Sequence, residues 1–144
     1  MQEDFKFSAA EANLVVHATE DLEKILRSLQ ATLGVQPEKF SSMPSEGHYK
    51  NRILMLRATF SSAEAADLAS LVSSNLNSSD RQELWQNIEQ FADEKGNLYL
   101  RLDKQRLCQG KISLSTADSM RIRFKPVKRY RPTSNLESYR GLFS

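Results

Sequence analysis

The chain has 144 residues, of which 40% are hydrophobic and 26% are charged. This composition is typical of one soluble globular domain, and the length is sufficient to bury a core without disulfide or metal staples. The amino-terminal residues have neither the basic region nor the apolar region of a secretory signal, and the longest apolar runs are too short to span a bilayer. The single cysteine, Cys108, excludes an internal disulfide, so we expect a protein of the reducing cytoplasm.

The charges are unevenly distributed along the chain. Residues 1–118 carry 13 Lys and Arg against 17 Asp and Glu, whereas residues 119–144 carry seven against one. Six of those seven cations lie in the stretch "SMRIRFKPVKRYR". A segregated basic region of this kind is the electrostatic footprint of a protein that binds a polyanion, although it does not identify the polyanion.

The first part of the chain predicts a strand, a helix and a hairpin. The segment "EANLVVHA" is apolar and β-branched enough for a buried strand. Thr19 is predicted to cap the helix that follows, and Gly34 is predicted to end it. Two extended segments, "EKFSSM" and "RILMLRATF", then flank a predicted turn at Pro44–Gly47, which indicates a hairpin.

The middle and the end of the chain predict two more helices and then further strands. Ser61 and Glu64 have the spacing of a capping box, as do Ser79 and Gln82. The segments "NLYLRLDK", "KISLS" and "MRIRFKP" are predicted strands, and "DKQRLCQG" is predicted to be a turn or a short helix. Residues 1–127 therefore predict a single α+β domain in which helices cover one face of a mainly antiparallel sheet. Residues 128–144 are predicted to be a basic extension that either frays or docks.

The face of the sheet opposite the helices is the candidate binding surface. Period-two geometry places one aromatic and five basic side chains on it: Tyr99, Arg101, Lys111, Arg121, Arg123 and Lys125. Because like charges repel, a solvated face without a ligand usually interleaves acids among its cations. Cations that neutralise phosphates, beside a ring that can stack on a base, favour binding of RNA or DNA. The alternatives are a basic face that serves only solubility, an anionic lipid partner and an acidic protein partner.

Catalytic and metal sites have weaker support in the sequence. His17 and His48 form a candidate acid and base pair for phosphodiester cleavage beside Lys50. His17, Glu20 and Asp21 are candidate metal ligands, but the two acids are better explained as residues that stabilise the first turn of the helix. The sequence contains no glycine-rich phosphate loop, no nucleophile elbow and no zinc-protease motif. We therefore expect a protein that is not an enzyme and that uses no metal or cofactor.

Three separated motifs carry a family resemblance. The segments "VHATEDLEKIL", "EGHYKNRI" and "GNLYLRLDKQRLCQGKISLS" resemble, in the same order and spacing, the archaeal family described as predicted exosome subunits or RNA-binding proteins. The resemblance runs from about Phe5 to Val127. It implies a compact α+β fold similar to that of the large-subunit ribosomal protein that sits on 5S rRNA, an archaeal cytoplasmic setting, and RNA binding rather than catalysis.

The resemblance and the charge pattern together define a set of candidate RNA contacts. The family motifs fall on His17 to Asp21, on Gly47, His48 and Asn51, on Leu98 to Arg101, on Asp103 to Gln105, and on Gly110 and Lys111. Phosphate contacts are predicted for Arg101, Lys104, Lys111, Arg121, Arg123 and Lys125. Tyr99 is the predicted stacking surface, and His17, His48 and Asn51 are predicted to bind bases or riboses. Each histidine has an alternative role in holding its own turn, and Lys104 has an alternative role as an exposed turn residue.

Two rival functions follow from the same residues. The first is a subunit that docks on an RNA-processing assembly, such as the exosome, through its acidic helical side and has no RNA affinity of its own. The second is a metal-independent ribonuclease that uses His17 and His48. The first rival predicts co-purification without RNA binding, and the second predicts cleavage that either histidine change abolishes.

Overall fold

The computed structural model describes residues 7–46, 52–126 and 132–144. In chain order these residues form β1 (Phe7–His17), α1 (Leu22–Leu33), β2 (Phe40–Glu46), β3 (Arg52–Phe60), α2 (Ser62–Asn75), α3 (Ser78–Gln86), β4 (Leu98–Asp103), α4 (Lys104–Cys108), β5 (Ser119–Pro126) and α5 (Pro132–Leu142), with short 3-10 helices at Pro37–Lys39 and Ile88–Phe91. The five described strands form one open antiparallel sheet in the order β2-β3-β1-β5-β4. The predicted α+β class is therefore confirmed.

The chain divides into two compact units. The helical unit contains residues 1–10, 60–100 and 123–144, and the hairpin unit contains residues 11–59 and 101–122. The helical unit holds α2, α3 and α5, whereas the hairpin unit holds α1, α4 and the β2-β3 pair. Within the described residues, no helix is long and apolar enough to cross a membrane.

The hairpin unit contains the predicted antiparallel strand pair. Met43 lies opposite Met55 and Phe40 lies opposite Ala58, so the pairing of β2 with β3 is confirmed. Pro44, which was expected to begin the turn, lies inside β2 opposite Leu54. The strand order places β2 at an edge of the sheet, and an edge strand tolerates proline because one side of its backbone has no strand partner. Ser45 and Glu46 also belong to β2, and Gly47, the last residue of the predicted turn, lies outside the described residues.

Helix α1 begins two residues later than the sequence predicts. Asp21, and not Thr19, is the capping residue, because its backbone is extended and its side chain accepts a hydrogen bond from the Lys24 amide at 3.2 Å. Gly34 ends the helix as predicted, with a φ of 71° that glycine adopts without strain. The α1 helix contacts α4 through Thr32, whose hydroxyl donates to the Leu107 carbonyl at 3.0 Å.

In the helical unit, one predicted helix start is confirmed and one is displaced. Ser61 and Glu64 form the predicted capping box of α2, since each side chain accepts a hydrogen bond from the other residue's amide. Helix α3 is capped by Asn77 rather than by Ser79, because the Asn77 side chain accepts a hydrogen bond from the Asp80 amide at 2.8 Å. The Asn77 cap places the start of α3 directly after the buried Leu76.

The described part of the predicted extension, residues 132–144, docks instead of fraying. Residues 132–142 form α5, on which Tyr139 is fully buried, and Phe143 just beyond it is 3% exposed. The centroid of the Tyr139 ring lies 6.0 Å from that of the Phe7 ring. The centroid of the Phe7 ring lies 4.9 Å from that of the Phe124 ring. The Tyr139 hydroxyl donates a hydrogen bond to the Gly96 carbonyl. These contacts join α5 to β1 and β5 in the core of the helical unit.

Candidate nucleic-acid interface

The outward cations of β5 alternate with core residues as the sequence predicts. Met120, Ile122 and Phe124 are all 0% exposed. Arg121 and Lys125 are exposed, and Arg123 is half-buried. Because successive side chains of a strand point to opposite faces, burial of one row fixes the direction of the other row. The strand therefore presents basic side chains away from the core.

The β4 strand shows the same alternation. Leu98, Leu100 and Leu102 are at most 1% exposed. Arg101, in the hairpin unit, is exposed. The strand order places β4 at the sheet edge beside β5, so within the hairpin unit Arg101 and Arg121 lie on neighbouring strands. Two guanidinium groups on adjacent strands are suited to successive phosphates of one backbone.

Tyr99 is the half-buried member of the outer row of β4, and it belongs to the helical unit. Its hydroxyl donates to Asp93 Oδ2 at 3.0 Å. The same carboxylate accepts hydrogen bonds from the Asn97 side chain and from the backbone amides of Lys95 and Asn97. Burial of Asp93 raises the pKa of its carboxyl, but the hydrogen bonds from Asn97, Tyr99 and Lys95 outweigh burial and lower the pKa. The Tyr99 ring is thus anchored through its hydroxyl.

The hydrogen bonds to Asp93 predict an acid-sensitive loop. Because the folded-state pKa of Asp93 is lowered, its contribution to stability is present above the ordinary carboxyl pKa and is lost as the pH falls through the folded-state pKa. We expect Asp93→Asn to destabilise the protein near pH 7 and to flatten the loss of stability between about pH 5 and pH 2. Urea unfolding of the wild type and the variant across this range, followed by Trp85 fluorescence, measures both effects. The control is Asp67→Asn on the exposed face of α2, and an unchanged pH profile for Asp93→Asn would contradict this assignment.

Lys111 is exposed, but it does not lie in a strand. In place of the predicted strand "KISLS", the structure has single bridge residues at Ile112 and Leu114, and Leu114 pairs with Leu102. The Lys111 amide instead donates to the Arg106 carbonyl at 2.9 Å, so this lysine follows directly from the end of α4. Gly110, with a φ of 79°, supplies the left-handed residue that this tight connection requires. Lys111 therefore reaches solvent from a turn of the hairpin unit.

Lys104 is buried, whereas a side chain that contacts phosphate must be accessible. It is 0% exposed, and its ammonium donates to Glu20 Oε1 at 2.7 Å and to the Val15 carbonyl at 2.7 Å. The Asp118 carboxylate lies 2.9 Å from the same nitrogen. Lys104 was predicted to contact phosphate, with an exposed turn residue as the alternative. Both roles require an accessible side chain, so the burial of Lys104 contradicts both. Lys104 is a buried cation that ties β1 to the two chain segments carrying these acids.

Glu20 is the central acid of this cluster. Burial of Glu20 raises the pKa of its carboxyl, but hydrogen bonds from the Lys104 ammonium and the His17 amide, together with the positive charge of Lys104, outweigh burial and lower the pKa. The His17 amide donates to Glu20 Oε1 at 2.9 Å, and the Glu20 amide donates to the His17 carbonyl at 2.9 Å. This reciprocal pair fixes the turn between β1 and α1. It holds His17 at the end of β1, where its side chain is exposed.

The His17 ring lies beside two acids that the sequence places far apart. Ligand atoms of His17, Glu20 and Asp118 lie within 4.8 Å of one another. The third acid is Asp118 and not Asp21, because Asp21 is occupied in capping α1. The Lys104 ammonium already binds both carboxylates, so it supplies the positive charge that a metal ion would bring to such a group. The arrangement is a salt-bridge network next to an exposed imidazole.

Two predicted site residues, His48 and Asn51, lie outside the described residues.

One cation that the sequence did not indicate is Arg57 on β3, whose guanidinium lies 2.8 Å from Glu11 on β1. The Glu11 carboxylate also accepts a hydrogen bond from the Asn13 side chain at 3.0 Å. The alternation of "EANLVVH", in which Ala12, Leu14 and Val16 are buried and the residues between them are less so, was the signal that β1 has a polar face. The polar face of β1 therefore does interleave an acid among the cations.

Comparison with known proteins places the chain in a family. The family model described as RNA binding matches residues 9–126. The RNA-binding protein PAB1135 from Pyrococcus abyssi is 32% identical over 116 residues, which cover 76% of this chain and 75% of that protein.

Solved structures show the same fold. Protein AF2318 from Archaeoglobus fulgidus, of family DUF54, matches with a TM-score of 0.79 and 25% identity over 95% of this chain and 99% of that chain. Mth689, a DUF54 protein from Methanothermobacter thermautotrophicus, matches with a TM-score of 0.77 and 23% identity over 96% of this chain and 99% of that chain. The named relatives all come from archaea. By the extent of the family match and the identity to PAB1135, the chain belongs to this RNA-binding family.

Proposed function

We propose that the chain is a non-catalytic RNA-binding domain that holds phosphates with the outward cations of its sheet. The observation that carries the proposal is the alternation along β5, where exposed Arg121 and Lys125 flank core residues that are fully buried. Because the sheet already fixes the backbone of these cations, only their side chains lose conformational freedom when they meet a phosphate backbone. Membership of an RNA-binding family supports RNA as the polyanion.

The proposed contacts follow from accessibility and charge. In the hairpin unit they are Arg101, Lys111 and Arg121 for phosphates and His17 for a base or ribose. In the helical unit they are Arg123 and Lys125 for phosphates and Tyr99 for stacking. His48 and Asn51 stay in the proposal as contacts to bases or riboses. Lys104 is left out because it is buried, and Arg57 is left out because Glu11 already offsets its charge.

Replacing Arg121 tests whether the sheet face contacts phosphate. Each phosphate contact contributes about one unit to the slope of the logarithm of affinity against the logarithm of salt concentration. We expect Arg121→Ala to reduce that slope by about 0.7–0.9 and to weaken binding to all RNA sequences alike. Fluorescence anisotropy of a labelled RNA at several salt concentrations gives the slope for each variant.

The matched control for Arg121 is Arg27→Ala. Arg27 is exposed on α1 of the same unit, so its replacement removes the same charge from a helix surface. We expect Arg27→Ala to leave the slope close to that of the wild type. Equal slopes for the two variants would mean that net charge alone matters, and the proposed sheet interface would then be wrong.

The cellular setting is a further part of the proposal. We propose that the protein is a cytoplasmic accessory factor in RNA processing or degradation, associated with the exosome, and that its fold is related to that of the ribosomal protein on 5S rRNA. The family resemblance and the basic sheet face support this role. A tagged protein purified from an archaeal host should retain RNA-degrading subunits, and ribonuclease treatment should release them if RNA forms the bridge. Retention after ribonuclease treatment, in a protein without RNA affinity, would favour the rival interaction subunit.

The ribonuclease rival is tested by cleavage of a labelled RNA without metal ions. The non-catalytic proposal expects the RNA to stay intact over the time of a binding experiment. Cleavage that His17→Ala abolishes would favour the nuclease. Gln109→Ala, which changes another exposed side chain of the hairpin unit, is the control for contaminating nuclease.

A further inference from the structure

The helical unit contains an open groove that the sheet interface does not use. The groove has a volume of about 500 Å³ and is lined mainly by residues of α3 and by the ends of α2 and α5. Its apolar walls are formed by Leu76, Trp85 and Phe143. Leu76 and Phe143 are buried, at 5% and 3% exposure, whereas Trp85 is 49% exposed. The groove therefore has a packed floor and one accessible aromatic face.

Trp85 is the only tryptophan of the chain, and about half of its surface is accessible to a ligand. An indole ring left half in water forgoes the burial that aromatic side chains normally obtain in a core. Large accessible aromatic rings beside polar groups are typical of surfaces that bind a ligand. Gln82 and Ser78 lie in the same groove, and their amide and hydroxyl groups both donate and accept hydrogen bonds.

The charged side chains at the groove indicate which class of ligand it binds. Arg81 lines the groove, and its guanidinium donates to the backbone carbonyl of Ser73, which is a neutral acceptor. Among the described residues, no carboxylate forms an ion pair with Arg81. Arg140 does not line the groove, but its Nε donates to the Trp85 carbonyl at 3.2 Å, and Glu89 at 3.4 Å offsets part of its charge. Arg81 is the one charged side chain among the described residues that line the groove, and it favours an anionic ligand over a basic one.

We propose that this groove binds one unpaired nucleotide of an RNA, with the base stacked on Trp85 and the phosphate held by Arg81. A flat, polar-edged base with an attached anion matches an accessible indole, the amide of Gln82 and an uncompensated guanidinium. The inference rests on the proposed RNA-binding function and adds a second base-stacking site to the one proposed at Tyr99. It predicts a preference for RNA with unpaired bases, because in a duplex the faces of the interior bases are already stacked on neighbouring bases.

The test compares single-stranded RNA of about eight nucleotides with a blunt RNA duplex of the same length. Stacking on one aromatic ring contributes about 1–3 kcal/mol per base, or a factor of about 5 to 150 in affinity. We expect Trp85→Ala to weaken binding of the single strand about tenfold or more and to leave duplex binding unchanged. Trp85→Phe should retain part of the affinity, and the single strand should quench the fluorescence of Trp85 in the wild type.

Two variants keep this test decisive. Met43→Ala is the control, since Met43 is an exposed apolar side chain of the hairpin unit, 68% accessible. We expect it to leave both affinities unchanged. If Trp85→Ala unfolds, Arg81→Gln takes its place and should weaken the single strand more than the duplex. Thermal unfolding followed by circular dichroism identifies the folded variants.

Failure of the inference and failure of the proposed function give different results. If the wild type binds single-stranded RNA with unchanged Trp85 fluorescence and Trp85→Ala binds equally well, the groove proposal is wrong and RNA binding stands. If the wild type binds no RNA at low salt, the proposed function fails and the groove proposal fails with it. Quenching by an oligopeptide of Glu and Leu, and not by RNA, would overturn the proposal in favour of an acidic protein partner.

Discussion

Lys104→Met is expected to lower the free energy of unfolding by about 3 kcal/mol, in the range for breaking a buried ion pair by removal of one partner. The change leaves the Glu20 and Asp118 carboxylates without their shared cation and the Val15 carbonyl without its donor. The loss is placed at the lower end of that range because the Asp118 side chain is 41% exposed and water solvates part of its charge. Urea unfolding near pH 7 measures the difference.

The control for Lys104 is a second lysine in the same unit. Lys111 is exposed, so we expect Lys111→Met to change the free energy of unfolding by less than about 0.5 kcal/mol. The double variant Lys104→Met with Glu20→Gln removes one of the unpaired charges and should recover part of the loss. A Lys104→Met protein as stable as the Lys111→Met protein would show that the buried network does not stabilise the fold.

Tyr139→Ala is expected to destabilise the protein by about 3–5 kcal/mol, as for other buried aromatic residues cut back to alanine. The ring is fully buried against Phe7, and its hydroxyl donates to the Gly96 carbonyl. Loss of the ring opens a cavity where α5 meets the core of the helical unit. Chemical unfolding gives the loss of stability, and limited proteolysis of residues 132–144 reports whether α5 has detached.

Tyr139→Phe separates packing from hydrogen bonding. It keeps the ring and removes only the hydroxyl, so we expect a loss of about 1–2 kcal/mol from the missing hydrogen bond and the unpaired Gly96 carbonyl. Equal losses for the two variants would mean that the ring adds nothing to the docking of α5. Resistance of the Tyr139→Ala protein to proteolysis at the tail would contradict the docking itself.

Features whose partners are close in sequence were predictable. The capping box of Ser61 and Glu64 spans three residues, and the alternation of β4 and β5 needs only the period of a strand. The displaced caps show that the local sequence alone does not identify the capping residue. Near α1 and α3 several Thr, Asp, Asn and Ser residues have the same capping chemistry, so the chain path before the helix decides which of them caps it. Asp21 and Asn77 were selected by that path.

Lys104 was mispredicted because its environment is assembled from distant parts of the chain. Its partner Glu20 lies 84 residues earlier. In the sequence, "DKQRLC" looks like an exposed basic turn, and lysine is seldom fully buried unless it is paired. No local pattern indicates that Glu20, Asp118 and the Val15 carbonyl converge on one ammonium. Lys104 looked exposed in the sequence and is buried, whereas Trp85 looked like a core residue and is accessible. Trp85 adjoins the buried Leu84 in the sequence, and only the packed helical unit shows that its ring is accessible.

The structure also changes how the basic surface is understood. The sequence suggested a face of cations without acids, whereas Glu11 on β1 pairs with Arg57 on β3. Lys104 is removed from the surface by burial. The exposed cations that remain on β4, β5 and the turn after α4 are Arg101, Lys111, Arg121 and Lys125, with Arg123 half-buried. The proposed interface therefore contains fewer cations than the sequence alone predicted.

The affinity of the unmodified protein for RNA, measured as a function of salt concentration, tests directly whether this domain binds RNA. The measurement is the anisotropy of labelled structured RNA, single-stranded RNA and duplex DNA from about 50 to 200 mM salt. If several cations of the sheet contact phosphates, affinity is strong at low salt and falls with a logarithmic slope of about three or more. Undetectable binding to all three nucleic acids at the lowest salt concentration would contradict the claim that this domain binds RNA.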